Sequence, residues 1–175
     1  MIVILQNIRS LHNVGSIFRT ADAAGAEKIY LCGITPTPFD RFGKIRPQFS
    51  KVSLGAEKSI DWEKRGRAAD LIAKLKKEGY KILAVEQSKT SIPYNKFKIN
   101  PPAGGKNSKV ALIMGNEIRG ISKALLRKVD KVLEIPMRGA MIRQANHPRY
   151  QKTPGKESLN VAIAFAVIIF HLTHD

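Results

Sequence analysis

Apolar residues along the chain fall into short β-branched runs, separated by stretches in which they recur every three or four positions. Met1 to Leu5, Lys28 to Cys32, Tyr80 to Val85, Val110 to Met114 and Val132 to Ile135 read as strands. Between the first two, Val14, Ile17, Phe18 and Ala21 keep helical spacing, with Asn13 as N-cap and Gly25 as the stop. After a Pro-rich loop, Asp61 caps a helix through Trp62, Ala69, Ile72 and Leu75 that Gly79 ends. Ser122 caps a short helix over Leu125 and Leu126, and Ser158 opens a last helix that reaches about Leu172. Strands alternating with helices predict an α/β domain with a mostly parallel sheet and helices on both faces. The last helix is apolar nearly all round from Val161 to Phe170, whereas a surface helix shows a polar side. In so small a domain, that predicts cover by a second copy of the chain, hence a homodimer.

A length of 175 residues with 43% apolar content fits one domain over 1–175, without repeats or a separate RNA-binding domain. The single cysteine, Cys32, excludes a disulfide framework or a Cys-rich zinc site and predicts a buried, reduced thiol on a strand. The longest apolar run, Val161 to Phe170, is too short to span a bilayer, and the first residues lack the charged-then-apolar pattern of a signal peptide. The expectation is a cytoplasmic protein with no membrane association.

Charge narrows the partner. The formal net charge is +16, from 30 basic and 14 acidic residues. Three acid-free segments, Arg41 to Lys51, Gln87 to Asn116 and Arg138 to Lys156, together hold fourteen of the basic residues. All three are rich in Pro, Gly, Asn or Ser and read mainly as loops. Clustered cations in loops form the footprint of a polyanion, since neutralising phosphates releases counterions. Nucleic acid is therefore the expected partner, ahead of an acidic membrane or simple solvation.

Several motifs fail on inspection. Gly104-Gly105-Lys106 lacks the spacing of a phosphate loop, and Gly115 to Gly120 (GNEIRG) is not a dinucleotide fingerprint. His12, His147, His171 and His174 have no metal-ligand partners in the pattern; His171 and His174 suit the carbonyls of a helix end. No metal is expected. What survives are polar residues at strand-to-helix turns, where parallel α/β folds build ligand sites: Asn13 and Arg19, then Gly115, Asn116, Glu117 and Gly120, then Ser158 and Asn160. Arg19, five positions beyond Val14, points roughly 140° from the start of the apolar stripe and so outward. Glu117, the only acid between Gln87 and Val129, suits either a helix start or a ligand contact.

These residues carry a resemblance. Asn7 to Gly25 (NIRSLHNVGSIFRTADAAG), Leu112 to Gly120 (LIMGNEIRG), and Ile135-Pro136-Met137 with Ser158-Leu159-Asn160-Val161 resemble, in order, the three motifs of the SpoU/TrmH family of SPOUT RNA 2′-O-ribose methyltransferases. The resemblance implies a sheet whose C-terminal part is tied in a trefoil knot, a homodimer, and S-adenosylmethionine as cofactor. It implies cofactor contacts at Gly115, Asn116, Ile135, Met137 and Leu159, and roles in the reaction for Arg19, Asn13, Ser158, Asn160 and Glu117. The basic residues Arg9, Arg41, Arg46, Arg143, Arg149 and Lys152 are the expected contacts to tRNA or rRNA. One departure stands out: Arg138 to Glu157 separate the Ile-Pro-Met and Ser-Leu-Asn stretches, which usually lie a few residues apart in the family. An insertion costs little closure entropy, and with five cations and Tyr150 it suits an RNA-contacting or lid loop. The rival reading is a catalytically silent RNA-binding module that keeps the fold. Methylation of a base fits the Ser-Leu-Asn motif poorly.

Overall fold

The computed structural model of the protein describes residues 1–99, 109–137 and 158–174. Seven strands form one sheet: β1 (Ile2–Gln6), β2 (Lys28–Cys32), β3 (Asp61–Arg65), β4 (Lys81–Val85), β5 (Ile92–Pro93), β6 (Val110–Met114) and β7 (Lys131–Glu134). Their order is β3-β2-β1-β6-β4-β7-β5, and every pairing is parallel. Among the described residues the helices are α1 (Leu11–Ala23), α2 (Pro47–Ser53), α3 (Ala56–Ser59), α4 (Ala68–Lys77), α5 (Lys123–Leu126) and α6 (Val161–His174), with one 3₁₀ turn at Tyr94–Lys96.

The period of two along each strand divides the core. Val3 and Leu5 of β1, Ile29 and Leu31 of β2, and Val110, Leu112 and Met114 of β6 pack with α1, α2 and α6 on one face. Ile2, Ile4, Tyr30, Cys32, Ala111 and Ile113 pack with α4 and α5 on the other. Burial on both faces is why β6 reads as an unbroken apolar run. Gly15 lets α1 approach α2 closely, since a Cβ there would lie 3.2 Å from the Phe49 carbonyl oxygen.

Four expectations need correction. The N-cap of α1 is Ser10, whose Oγ accepts from Asn13 N at 3.2 Å; Asn13 lies inside the helix. Asp61 to Arg65 is the edge strand β3 instead of a helix start, and the helix begins only at Ala68. A charged edge strand is a common way to block further pairing, and its Asp-Trp-Glu-Lys-Arg run carries no strand-like alternation. Part of the basic Pro-rich stretch is helical, with Pro47 in the first turn of α2. The last helix begins at Val161: Asn160 is its cap, its Oδ1 accepting from Ala162 N at 2.8 Å. His171, in the last turn of α6, also makes a tertiary contact. Its ring packs edge-on against Tyr94 and its Nε2 lies 3.3 Å from the Phe97 carbonyl oxygen, fixing α6 to the segment after β5. Cys32 is buried, as its strand position predicts, and burial pushes its thiol up to about 11 despite Lys64 and Arg65 nearby.

Candidate functional site

At the carboxyl end of the sheet, the segments after β1 and β6 and the start of α6 are hydrogen-bonded into one unit. Glu117 is the hub. Its carboxylate accepts from Arg9 N at 3.0 Å, from Ser10 N at 3.0 Å and from Asn13 Nδ2 at 3.1 Å. The carboxylate therefore sits at the N-terminus of α1, where unpaired amides and the helix dipole favour a negative charge. Asn13 is 7% exposed, and its Oδ1 accepts from Asn160 Nδ2 at 3.1 Å. One chain of side chains thus joins the first, second and third motif-like segments, with Asn13 more than a hundred residues from both of its partners in sequence. Burial raises the Glu117 pKa, but the amides of Arg9, Ser10 and Asn13 outweigh it, and the net shift is downward. At neutral pH Glu117 is a carboxylate committed to structure, a weak base and no acid.

Asn116 and Asn7 complete the junction. Asn116 Nδ2 donates to the Asn7 carbonyl at 2.8 Å, while its Oδ1 accepts from Ile118 N and Arg119 N at 3.0 and 2.9 Å, tightening the turn. Asn7 takes φ +57°, a left-handed conformation that Asn tolerates, and its Oδ1 accepts from Ile34 N at 3.1 Å.

A cavity of about 270 Å³ opens beside this junction, between the carboxyl ends of β4, β6 and β7 and the start of α6. Its apolar wall includes Val85, Met114, Ile118, Ile135, Met137 and Leu159; its polar groups include Gln87, Asn116, Ser158 and Asn160 and three carboxylates, Glu86, Glu117 and Glu134. Every predicted cofactor residue, Gly115, Asn116, Ile135, Met137 and Leu159, lines it, as do Glu117, Ser158 and Asn160. Asn13 lies behind the lining and is hydrogen-bonded to its Glu117 and Asn160. Arg19 is exposed on α1 and outside the lining, and among the described residues it has no hydrogen-bond or ion-pair partner. Arg9 and Arg41 are exposed and Arg46 is half-buried. The predicted RNA contacts Arg143, Arg149 and Lys152, and the insertion that carries them, lie outside the described residues.

Sequence reading passed over Glu86. Its carboxylate accepts from Gln87 N at 2.9 Å and Ile121 N at 2.8 Å, drawing the turn after β6 toward the end of β4. Gly120 takes φ +59°, which other side chains rarely adopt, and a Cβ there would displace that carboxylate. The strand-end rule applied to β4, as it was to β1 and β6, points to Glu86. Gly115 also has a reason other than ligand approach: a Cβ there would lie 2.5 Å from Ile121 Cγ1 and 2.6 Å from the Gly120 carbonyl carbon, so the turn closes only around a glycine. Among the described residues no group of His, Cys, Asp and Glu could hold a metal ion, and no helix is long and apolar enough to cross a membrane.

Comparison with known proteins gives the family. The model of the SpoU rRNA methylase family matches residues 1–170. The tRNA (guanosine(18)-2′-O)-methyltransferase of Aquifex aeolicus is 26% identical over 97% of this chain and 67% of its own length. The 23S rRNA (guanosine(2553)-2′-O)-methyltransferase of Bacillus subtilis is 30% identical over 98% of this chain and 57% of its own. An AdoMet-bound rRNA methyltransferase from Sinorhizobium meliloti superposes with a TM-score of 0.73 at 28% identity, covering 97% of this chain and 54% of that one. The chain thus spans about half to two thirds of these relatives. Its α/β sheet is the fold of the solved SpoU methyltransferases that it resembles. The chain belongs to the SpoU rRNA methylase family.

Proposed function

We propose that this chain is an S-adenosylmethionine-dependent RNA 2′-O-ribose methyltransferase acting on tRNA or rRNA. The observation that carries the reading is the Glu117–Asn13–Asn160 bridge, which locks three distant segments around one cavity. The cavity suits the cofactor chemically. In a chain of net charge +16 it is lined by three carboxylates, which attract a sulfonium and accept from ribose hydroxyls but repel a phosphate-bearing cofactor. Bound there, S-adenosylmethionine supplies an activated methyl group. Gly115, Asn116, Ile135, Met137 and Leu159 would hold it against the apolar wall, with Glu86 and Glu134 as further polar partners.

This chain's residues then have to bind RNA, align one 2′-hydroxyl and help it lose its proton. Ser158, exposed at the cavity, and Asn160 suit orientation of the ribose. A guanidinium with a pKa above ~12 is a poor base at neutral pH. Arg19 therefore serves best as a forked donor that orients ribose and phosphate and stabilises charge developing on the 2′-oxygen. Asn13 and Glu117 position Asn160 and the turn after β6. The basic segments, including Arg9, Arg41, Arg46, Arg143, Arg149 and Lys152, carry RNA binding within a single domain. Methylation of total RNA with labelled S-adenosylmethionine, followed by nucleoside identification, should yield a labelled 2′-O-methylnucleoside. Cofactor binding with no transfer to any RNA would favour the silent module instead.

The homodimer belongs to the same proposal. Half of α6 packs on the sheet and on α1 through Phe165, Ile168, Ile169 and Leu172, while Ile163 is 55% exposed and Ala162, Ala166 and Val167 are half-buried. An apolar face of this kind is a subunit interface more often than a free surface. A second copy on it would also give Arg19 another chain's cavity to serve. Sedimentation equilibrium at micromolar concentration should show a dimer; a clean monomer would remove the interface. A cytoplasmic placement accords with the single buried, unpaired cysteine.

A further inference from the structure

The connection from β2 to α2 ends in a small hairpin that the cavity does not use. Phe39 and Ile45 form an antiparallel bridge, and Asp40 N donates to the Lys44 carbonyl at 2.8 Å. The Asp40 carboxylate accepts from Phe42 N at 2.8 Å and Lys44 N at 2.9 Å, and Gly43 closes the turn at φ +75°. The base of the hairpin is fixed to the sheet edge: Phe39 stacks on Trp62 of β3 with centroids 6.0 Å apart, and Arg46 Nε donates to the Phe39 carbonyl at 3.3 Å. Its root is fixed as well, since the Thr35 hydroxyl bonds the Leu5 carbonyl and Ile8 N, in the segment that leads to Arg9 and Glu117. The hairpin therefore rises from the same end of the sheet as the cavity.

At the tip of this braced turn Phe42 is 71% exposed, and the Arg41 guanidinium lies 4.7 Å from its ring centroid. Nothing in the fold needs an exposed phenyl ring there. Arg41, Lys44 and Arg46 belong to the same hairpin, and its one acid, Asp40, has spent an oxygen on the turn's own amides. An aromatic face beside a cation, on a turn whose backbone is fixed by its own hydrogen bonds, suits stacking on an unpaired base, since every base offers a π-face. We propose that Phe42, backed by Arg41, is a stacking platform for an unpaired base of the substrate RNA, with Arg41 and Lys44 placed for the adjoining phosphates. The proposal rests on the RNA methyltransferase reading and adds a docking point to it.

The test compares Phe42→Ala, Phe42→Leu and Phe42→Trp with the unaltered protein in binding a short unstructured oligoribonucleotide, in methylating total RNA and in binding S-adenosylmethionine. Alanine and leucine should each weaken oligonucleotide binding about 5- to 150-fold. Tryptophan should retain it and show emission quenched by the RNA, against the steady background of Trp62. S-adenosylmethionine affinity should be the same in all four. Equal RNA affinity for alanine and the unaltered protein overturns the platform, as does full rescue by leucine, which would mark a merely apolar contact. Retention on phosphatidylserine vesicles that depends on Phe42, with RNA binding untouched, overturns it in favour of a membrane contact. If the unaltered protein methylates RNA while the Phe42 variants match it throughout, only the platform fails. If the unaltered protein neither binds nor methylates RNA, the enzymatic reading fails and the platform with it.

Discussion

Arg19→Ala should lower methyl transfer about 10²- to 10³-fold, the usual effect of removing one group that stabilises charge developing in the transition state. Arg19 is exposed on α1, and none of the described groups holds it, so its guanidinium is available to substrate. It lies outside the cavity lining, so S-adenosylmethionine affinity should not move. RNA affinity should fall little, because one contact among many phosphate contacts is lost. Arg19→Lys should recover only part of the rate, since an ammonium keeps the charge but not the planar fork. Single-turnover rates with saturating RNA decide the matter. Near-normal turnover of the alanine variant would take Arg19 out of the reaction and leave it as a surface cation.

Gly115→Val should weaken S-adenosylmethionine binding markedly, though for a different reason from direct obstruction of a ligand. The new side chain would meet Ile121 and the Gly120 backbone, forcing the turn after β6 to open. That turn carries Asn116 and Glu117, so opening it disturbs both the cavity wall and the carboxylate that caps α1. Overpacking of this kind costs about 1–3 kcal/mol, which as lost affinity is roughly 5- to 150-fold. Thermal stability should fall together with affinity, whereas a purely ligand-blocking side chain would leave stability alone. Gly115→Ala should show both effects in smaller measure. Calorimetry that finds unchanged affinity for the valine variant would show that the turn is not part of the cofactor site.

How the chain departs from its local signals follows from where each element sits. Fully buried strands advertise themselves, and β2 and β6 occupy the residues their apolar runs predict. The edge strand β3 does not, because it has one neighbour and is extended only through its pairing with β2 at Lys28–Asp61 to Cys32–Arg65. Asp61 and the apolar positions after it imitate a capped helix, and the pairing overrides that local preference. Pro47 marked a break in the chain but also fits the first turn of a helix, and packing against α1 selects the helix. The caps of α1 and α6 were each misplaced by two or three residues. Ser10 and Asn160 hold those positions by hydrogen bonds that no propensity specifies.

The site divides along the same line. By itself the sequence determined the α/β pattern, the three ordered motif-like segments and the charge that points to RNA, because each is written in neighbouring residues or in composition. It also placed Gly115, Asn116, Glu117, Ile135, Met137, Ser158, Leu159 and Asn160 at one site, and all of them line one cavity. Only the tertiary structure decided that Glu117 caps a helix more than a hundred residues earlier, that Asn13 is a buried link to Asn160, and that Glu86 draws the turn around Gly120. The physical reason is that a carboxylate or amide takes whichever donors the packed strands bring within about 3 Å. In this parallel sheet, β1 and β6 lie side by side although more than a hundred residues separate them along the chain.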